Sequence, residues 1–273
     1  MKTMKTLAIC AIALLSTSMS LSAQETATTA SAPSVSITTG ADIVSSYIWR
    51  GVYFAGASFQ PTVNLTWGGL NAGIWGSSDF VDGKYKEVDA SIFYTISGFK
   101  AGITQYWWTG KNQPYIAKNT DGTSGHYLEG TIGYSISNFS LVANTFFWGD
   151  RDKNAAGKQM YSTYIEASYA ATIGDITFTP AIGVSPWESN SFVGYHWNPG
   201  KPVMDPTTGN QMIDPKTGDP VFGVNETGFK VCNVSVKATK SLKFTDKISI
   251  PVYGQVIYSN AADQIHFVLG VTL

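Results

Sequence analysis

Apolar side chains alternate with polar or small ones along most of the chain after residue 33, and this period of two constrains the fold more than any other feature. One run carries Val88, Ala90, Ile92, Tyr94 and Ile96 at every second position. Such alternation places successive side chains on opposite faces of a β-strand. Twelve runs of this kind follow one another to the end of the chain, and no convincing helix competes with them. The sequence therefore predicts an all-β fold.

The two faces of these runs differ in charge. The apolar register of all twelve holds no Asp, Glu, Lys or Arg, whereas the opposite register mixes a few charges with Gly, Ser and Thr. A soluble sandwich would expose a face rich in Lys and Glu, yet only 14% of this chain is charged, against about 25% in a typical soluble domain. An uncharged apolar face fits lipid outside and polar residues within. The pattern predicts a transmembrane antiparallel up-and-down β-barrel of about twelve strands.

Short and long connections alternate between the runs. The short ones include Gly68-Gly69, Ser97-Gly98, Ser137-Asn138 and Gly174-Asp175, and the longest connection covers residues 188–226. Outer-membrane barrels have tight periplasmic turns and longer extracellular loops, so both chain termini are expected on the periplasmic side and 188–226 is expected to be an extracellular loop. That loop repeats the pattern Asp-Pro-x-x-Gly, beginning at residues 205 and 214, which predicts two tandem turns.

Aromatic residues cluster near the ends of the runs, as amphipathic rings do at the two interfaces of a bilayer. One group is predicted to form a belt near the long loops: Trp49, Trp75, Trp107, Trp108, Phe147, Trp148, Trp187 and Tyr258. A second group is predicted to form a belt near the short turns: Trp67, Phe99, Phe139 and Tyr169.

The first 23 residues have the pattern of a secretory signal peptide. Lys2 and Lys5 precede an unbroken apolar run at residues 7–15, and small residues precede Gln24. This run is far shorter than the roughly 20 residues a membrane helix needs. Residues 24–33 are rich in Thr, Ala and Ser and are interpreted as a flexible lead-in, so the barrel is expected to occupy residues 34–273. The expected location is the outer membrane of a Gram-negative bacterium, with outer-membrane lipid and the barrel-assembly machinery as partners.

Three segments carry a resemblance to a known family. The stretch 45–51 reads Ser-Ser-Tyr-Ile-Trp-Arg-Gly, Pro61 follows, and residues 72–77 read Ala-Gly-Ile-Trp-Gly-Ser. Together they resemble the opening of the TorF-like porins, a family of conserved Gram-negative outer-membrane proteins. The likeness continues through most of the chain after residue 33. It implies an outer-membrane barrel with a transport role, and the family offers no catalytic residues to carry over.

Motifs for catalysis or metal binding are missing from the sequence. The three histidines, His126, His196 and His266, lack metal-ligand spacing. The chain also lacks a Gly-x-Ser-x-Gly elbow and a phosphate-cradling loop between a strand and a helix. A net charge of −1 argues against a nucleic-acid partner, which needs a basic face. We therefore expect no enzyme activity, no cofactor and no metal.

Charged residues on the polar register are the candidate pore-lining residues, because ionisable groups inside a membrane are costly unless they face water or one another. These candidates are Asp42, Arg50, Glu87, Asp89, Lys100, Glu129, Glu166 and Lys237. They suggest a narrow passive channel for small polar solutes or ions. The alternative is a closed structural or partner-binding barrel that acts through its extracellular loops, since twelve strands fall between the filled eight-stranded barrel and the open barrel of 16–18 strands. Acids paired with bases would favour the closed barrel, and unpaired acids a cation-preferring pore.

Overall fold

The computed structural model describes residues 34–81, 83, 85–109, 124–150, 152–153, 158–187, 189, 204–205, 207–213, 229–246, 248–260 and 262–273. The predicted signal peptide at 1–23 and the lead-in at 24–33 lie outside these residues, as does most of the 188–226 loop. Among the described residues, no helix is long and apolar enough to cross a membrane.

The described residues form fifteen β-strands. In chain order they are β1 (Val35–Val44), β2 (Tyr47–Trp49), β3 (Val52–Ala55), β4 (Ser58–Trp67), β5 (Leu70–Asp79), β6 (Lys86–Ile96), β7 (Phe99–Thr109), β8 (His126–Ile136), β9 (Phe139–Gly149), β10 (Thr163–Tyr169), β11 (Ala171–Ile173), β12 (Ile176–Ser185), β13 (Lys230–Lys243), β14 (Ser249–Ser259) and β15 (Gln264–Thr272).

Thirteen of these strands form one antiparallel sheet that closes on itself. Strands β4 to β10 pair in sequence order, β1 pairs with both β4 and β15, and β10 pairs with β12. Because β10 and β11 are two segments of one interrupted strand that pair with the same neighbour, β12, the barrel has twelve strand positions. The prediction of a closed, all-β, up-and-down barrel of twelve strands is confirmed.

Alternation along each strand separates an apolar exterior from a polar interior. On β8, the outward Ile132 is 69% exposed, whereas its inward neighbour Thr131 is 5% exposed. Polar side chains bond across the inner wall, where the Thr131 hydroxyl donates to Asn144 Oδ1 at 2.9 Å. The exposed apolar side chains recur around the whole barrel and include Ile43, Val63, Ile74, Ile92, Ile103, Leu141, Ile182, Val234, Val256 and Phe267. An apolar surface of this extent is unfavourable in water and favourable in lipid.

The predicted short turns are present between the strands. At Ser97-Gly98 both residues have positive φ, at 46° and 84°, which is the type I′ geometry that matches the twist of the flanking strands.

Alternation from Ile37 through Trp49 predicts a single first strand, but that prediction is wrong beyond Val44, where β1 ends. Residues 45–57, hereafter the inner hairpin, leave the wall and fold into the lumen as β2 and β3, with Arg50 and Gly51 at the tip and positive φ values of 52° and 83°. Trp49 is 3% exposed and Trp75 is 5% exposed. Both rings therefore face the barrel interior, as does Trp108, and the prediction that these three belong to a lipid-facing belt is wrong. Period-two alternation continues through residue 49, because β2 is also a strand, so the alternation does not show that the chain has left the barrel wall.

Candidate functional site

The inner hairpin bridges opposite walls of the barrel. Strands β8 and β15 lie six positions apart in the ring of twelve. On the β8 side, the guanidinium of Arg50 binds Glu129. On the β15 side, the Tyr53 ring stacks against the His266 ring with centroids 6.3 Å apart. The hairpin thus occupies the cross-section of the lumen instead of lying along one wall.

Aromatic rings hold the hairpin against the wall formed by β5 to β10. Trp49 has ring-centroid distances of 5.7 Å to Tyr106 and 6.3 Å to Phe146, and Tyr47 lies 5.5 Å from Trp75. Tilted and edge-on contacts at these separations are favourable for aromatic pairs. The buried cluster consists of Tyr47, Trp49, Ala55, Trp75, Tyr106, Tyr127, Phe146, Tyr164 and Cys232. It fills much of the interior on this side.

Arg50 and Glu129 form the central ion pair of the hairpin. Arg50 Nη1 lies 2.5 Å from Glu129 Oε2, and Nη2 lies 2.9 Å from Oε1. The side chains are 8% and 1% exposed, respectively. The guanidinium carbon also lies 4.2 Å from the Trp49 ring centroid and 4.9 Å from that of Tyr164. A planar, forked guanidinium makes both the bidentate bond and the stacking contacts, whereas an ammonium group makes neither in this form.

Neutral donors bond two other acids of this wall, Glu87 and Glu166. Glu87 accepts hydrogen bonds from the Tyr85 hydroxyl at 2.6 Å and from Trp108 Nε1. The Tyr164 hydroxyl lies 2.7 Å from Glu166 Oε2. These donors satisfy carboxylate oxygens without adding charge. Glu129 receives a third bond, from the Tyr106 hydroxyl at 2.9 Å.

The other four candidate residues, two acids and two lysines, also lie on the inner side of the barrel. Asp89 is 3% exposed and lies on β6 next but one to Glu87, and Asp42 is 2% exposed on β1. Lys100 Nζ lies 3.9 Å from the Phe93 ring centroid, and Lys237 Nζ lies 3.8 Å from that of Tyr253. Arg50 is therefore the one cation of the eight candidates that the described structure places in an ion pair with another candidate.

A cavity of about 40 Å³ remains between the hairpin and the opposite wall. Since a water molecule needs roughly 10–15 Å³ of such volume, the cavity has room for only a few. Its apolar lining comes from Val44, Ile48, Ile257 and Val268, among others. Its polar lining consists of Ser46, Arg50, Gln60, Asn233, Ser235, Lys237 and Gln255, with ring contributions from Tyr47 and Tyr253. Both charged lining residues are cationic.

The sequence analysis does not predict the tyrosines that donate to the lumenal acids, although the sequence contains a local signal for two of them. Tyr85, just before β6, and Glu87 are two residues apart, as are Tyr164 and Glu166, so the extended chain places each pair on one face. The same spacing recurs at Tyr127 and Glu129. At Glu87 and Glu166, the tyrosine two residues earlier donates to the lumenal carboxylate, whereas Glu129 accepts from Tyr106 on the neighbouring strand.

Two further polar features lie outside the strands. In the connection between β9 and β10, Asp152 accepts bonds from the Ser162 N–H at 3.1 Å and from Gln159 Nε2 at 2.6 Å, and burial raises its pKa. In the 188–226 loop, the Thr207 N–H donates to Asp205 Oδ1 at 2.8 Å and lowers the pKa of Asp205. Gly209 closes this turn with φ 68°. The first predicted Asp-Pro-x-x-Gly turn is confirmed, and the second, which begins at residue 214, lies outside the described residues.

Comparisons with known proteins give structural likenesses but no family. No family model matches the chain, and no curated protein matches it. The barrel is similar to a crystal structure of an outer membrane channel from Pseudomonas putida F1, with a TM-score of 0.37 and 12% sequence identity. The alignment covers 89% of this chain and 95% of the channel. The resemblance to the TorF-like porins stays a prediction. Within the described part of the chain, no group of three or more His, Cys, Asp or Glu side chains is placed to hold a metal ion.

Proposed function

We propose that this protein is an outer-membrane barrel that acts as a narrow passive channel for small polar solutes or ions, with the inner hairpin as its constriction. A closed barrel satisfies all ladder hydrogen bonds between strands and has no free edge, so it is one of the two structures that can cross a bilayer. The barrel form with short turns on one side is typical of the Gram-negative outer membrane. Lipid and the barrel-assembly machinery are the partners that such a location requires.

The observation that carries the proposal is the hairpin inside a polar lumen. A barrel built only as a scaffold can fill its interior with wall side chains. Here the connection between β1 and β4 enters the lumen instead, and it leaves a polar cavity beside it. Solutes would diffuse along the lumen and pass the hairpin through this cavity, whose size sets the limiting cross-section.

The second candidate function is the closed barrel that acts through its extracellular loops. The packed aromatic cluster and the contact between Arg50 and Glu129 favour it, because both hold the hairpin across the lumen. The two functions differ in one measurable property, which is ion conduction.

Planar-bilayer recording of the refolded full-length protein distinguishes them. Heat-modifiable gel migration and a sheet-dominated circular dichroism spectrum in detergent first establish that the barrel is folded. The channel predicts small, discrete current steps. A silent bilayer that contains correctly inserted protein would refute the channel and support the closed barrel.

A further inference from the structure

We infer that the cavity beside the inner hairpin binds a small inorganic anion or the carboxylate of a solute, and that it makes the constriction prefer anions. The binding site itself follows from the cavity lining, whereas the preference in transport rests on the proposed channel function. The lining offers a lysine, an arginine, amide side chains and serine hydroxyls, and no acid. Rings of cationic side chains are the usual basis of anion preference in pores.

Lys237 supplies the positive charge of this site that forms no direct ion pair with an acid in the described part of the chain. Arg50 also lines the cavity, but its charge is matched by Glu129 in the bidentate pair. In the described part of the chain, Lys237 forms no ion pair within 4.0 Å, and its ammonium group lies over the Tyr253 ring instead. A lysine is a compact charge on a flexible stem with three donors. It can therefore turn from the ring toward an anion in the cavity.

Amides and hydroxyls complete the site around Lys237. Gln255 lies opposite Lys237 on the neighbouring strand, and Ser235 lies two residues before it on the same face. Gln60 on β4 and Asn233 near the beginning of β13 also line the cavity. Their N–H and O–H groups can donate to an anion held by the ammonium group. Such donors also replace part of the hydration shell that a small anion loses at a constriction.

The acids lie elsewhere in the lumen. Glu87, Glu129 and Glu166 belong to the wall on the far side of the hairpin, where tyrosine, tryptophan and arginine donors cover them. Asp42 is the acid that interacts electrostatically with Lys237, but it hydrogen-bonds Thr272 and does not line the cavity. Asp42 therefore weakens the positive potential of the site without supplying an acidic surface to the path.

Reversal potentials in a tenfold KCl gradient test the transport preference. Wild-type protein is expected to prefer chloride, Lys237→Gln to move the reversal potential toward zero, and Lys237→Glu to reverse its sign. Asp42→Asn should increase the chloride preference. The matched control is Lys100→Gln, because Lys100 is also an inward lysine over an aromatic ring but does not line the cavity. Cation preference in the wild type, or an equal effect of Lys100→Gln and Lys237→Gln, would overturn the inference.

A second readout needs no conduction. Crystals soaked in sodium bromide should show an anomalous scattering peak beside Lys237 in the wild type and no peak there in Lys237→Gln. Bromide in the cavity together with a silent bilayer would retain the anion site and refute the channel. An empty cavity in soaked wild-type crystals would overturn the anion site whether or not the protein conducts.

Discussion

Replacing Arg50 with alanine should release the inner hairpin from the wall. The change removes both bonds to Glu129 and leaves that carboxylate, which is 1% exposed, without its cation. Removing one partner of a buried ion pair costs about 3–5 kcal/mol. Water reaches Glu129 if the hairpin moves away. The substitution therefore raises mainly the free energy of the state in which the hairpin stays inserted in the lumen. At about 1.4 kcal/mol per factor of ten, the population of the displaced hairpin should rise by on the order of a hundredfold to several thousandfold.

Single-channel recording measures this population directly. Arg50→Ala should show frequent or long-lived steps of higher conductance that are rare in the wild type. Arg50→Lys keeps the charge but loses the fork, so it should fall between the two. The double variant Arg50→Ala with Glu129→Ala removes the unpaired carboxylate and should lie closer to the wild type than Arg50→Ala does. A folded Arg50→Ala barrel with the wild-type current trace would refute the idea that this ion pair holds the constriction.

Three further predictions concern the inner hairpin, the short turn between β11 and β12, and the connection between β9 and β10. Gly51→Val should loosen the hairpin, because φ is +83° there and an added Cβ would lie 2.9 Å from a side-chain carbon of β13. Labelling of the buried Cys232 by a maleimide should therefore become faster, and unchanged labelling would argue against this placement of the tip. The Lys240 ammonium group, 3.0 Å from Asp175, lowers the pKa of that acid below its ordinary 3.8. The small stabilisation from this pair should be complete above that value and lost as pH falls through the lower folded pKa. Carboxyl NMR should find the Asp175 midpoint below 3.8 in the wild type and restored in Lys240→Gln, and equal midpoints would refute the pairing. Asp152→Asn places an amide donor against donors that now bond the carboxylate. It should destabilise the connection between β9 and β10 by about 1–3 kcal/mol and speed its cleavage by protease, and an unchanged cleavage rate would contradict this role.

The barrel could be predicted from the sequence because its determinants are local. Alternation within each strand indicates which side chains face outward and which face inward, as Thr131 and Ile132 show. Residues such as Ser97 and Gly98 indicate where the tight turns lie. The count of twelve then follows from the number of runs. Closure by pairing of β1 with β15 follows from the membrane, which does not tolerate a free sheet edge.

The interior could not be predicted in the same way, because it depends on contacts between distant parts of the chain. Arg50 and Glu129 are 79 residues apart in sequence, and nothing near either residue indicates that they meet. Cys232 gives a second example. Its alternation with Val234 predicts an outward side chain. However, Gly183 pairs with Asn233 and Val184 with Val231, so this bulge leaves Cys232 without a partner residue on β12, and its side chain is 1% exposed. Such a bulge changes the face of a residue without changing the local pattern.

Removal of the inner hairpin tests the central claim most directly. Val44 and Ser58 are paired across β1 and β4, so residues 45–57 can be replaced by a two-residue Asn-Gly turn that joins the strands in place. The unitary conductance of this variant in a planar bilayer should be several-fold larger than that of the wild type, with heat-modifiable migration retained. An intact barrel without the hairpin that conducts no better than the wild type would contradict the claim that the hairpin is the constriction.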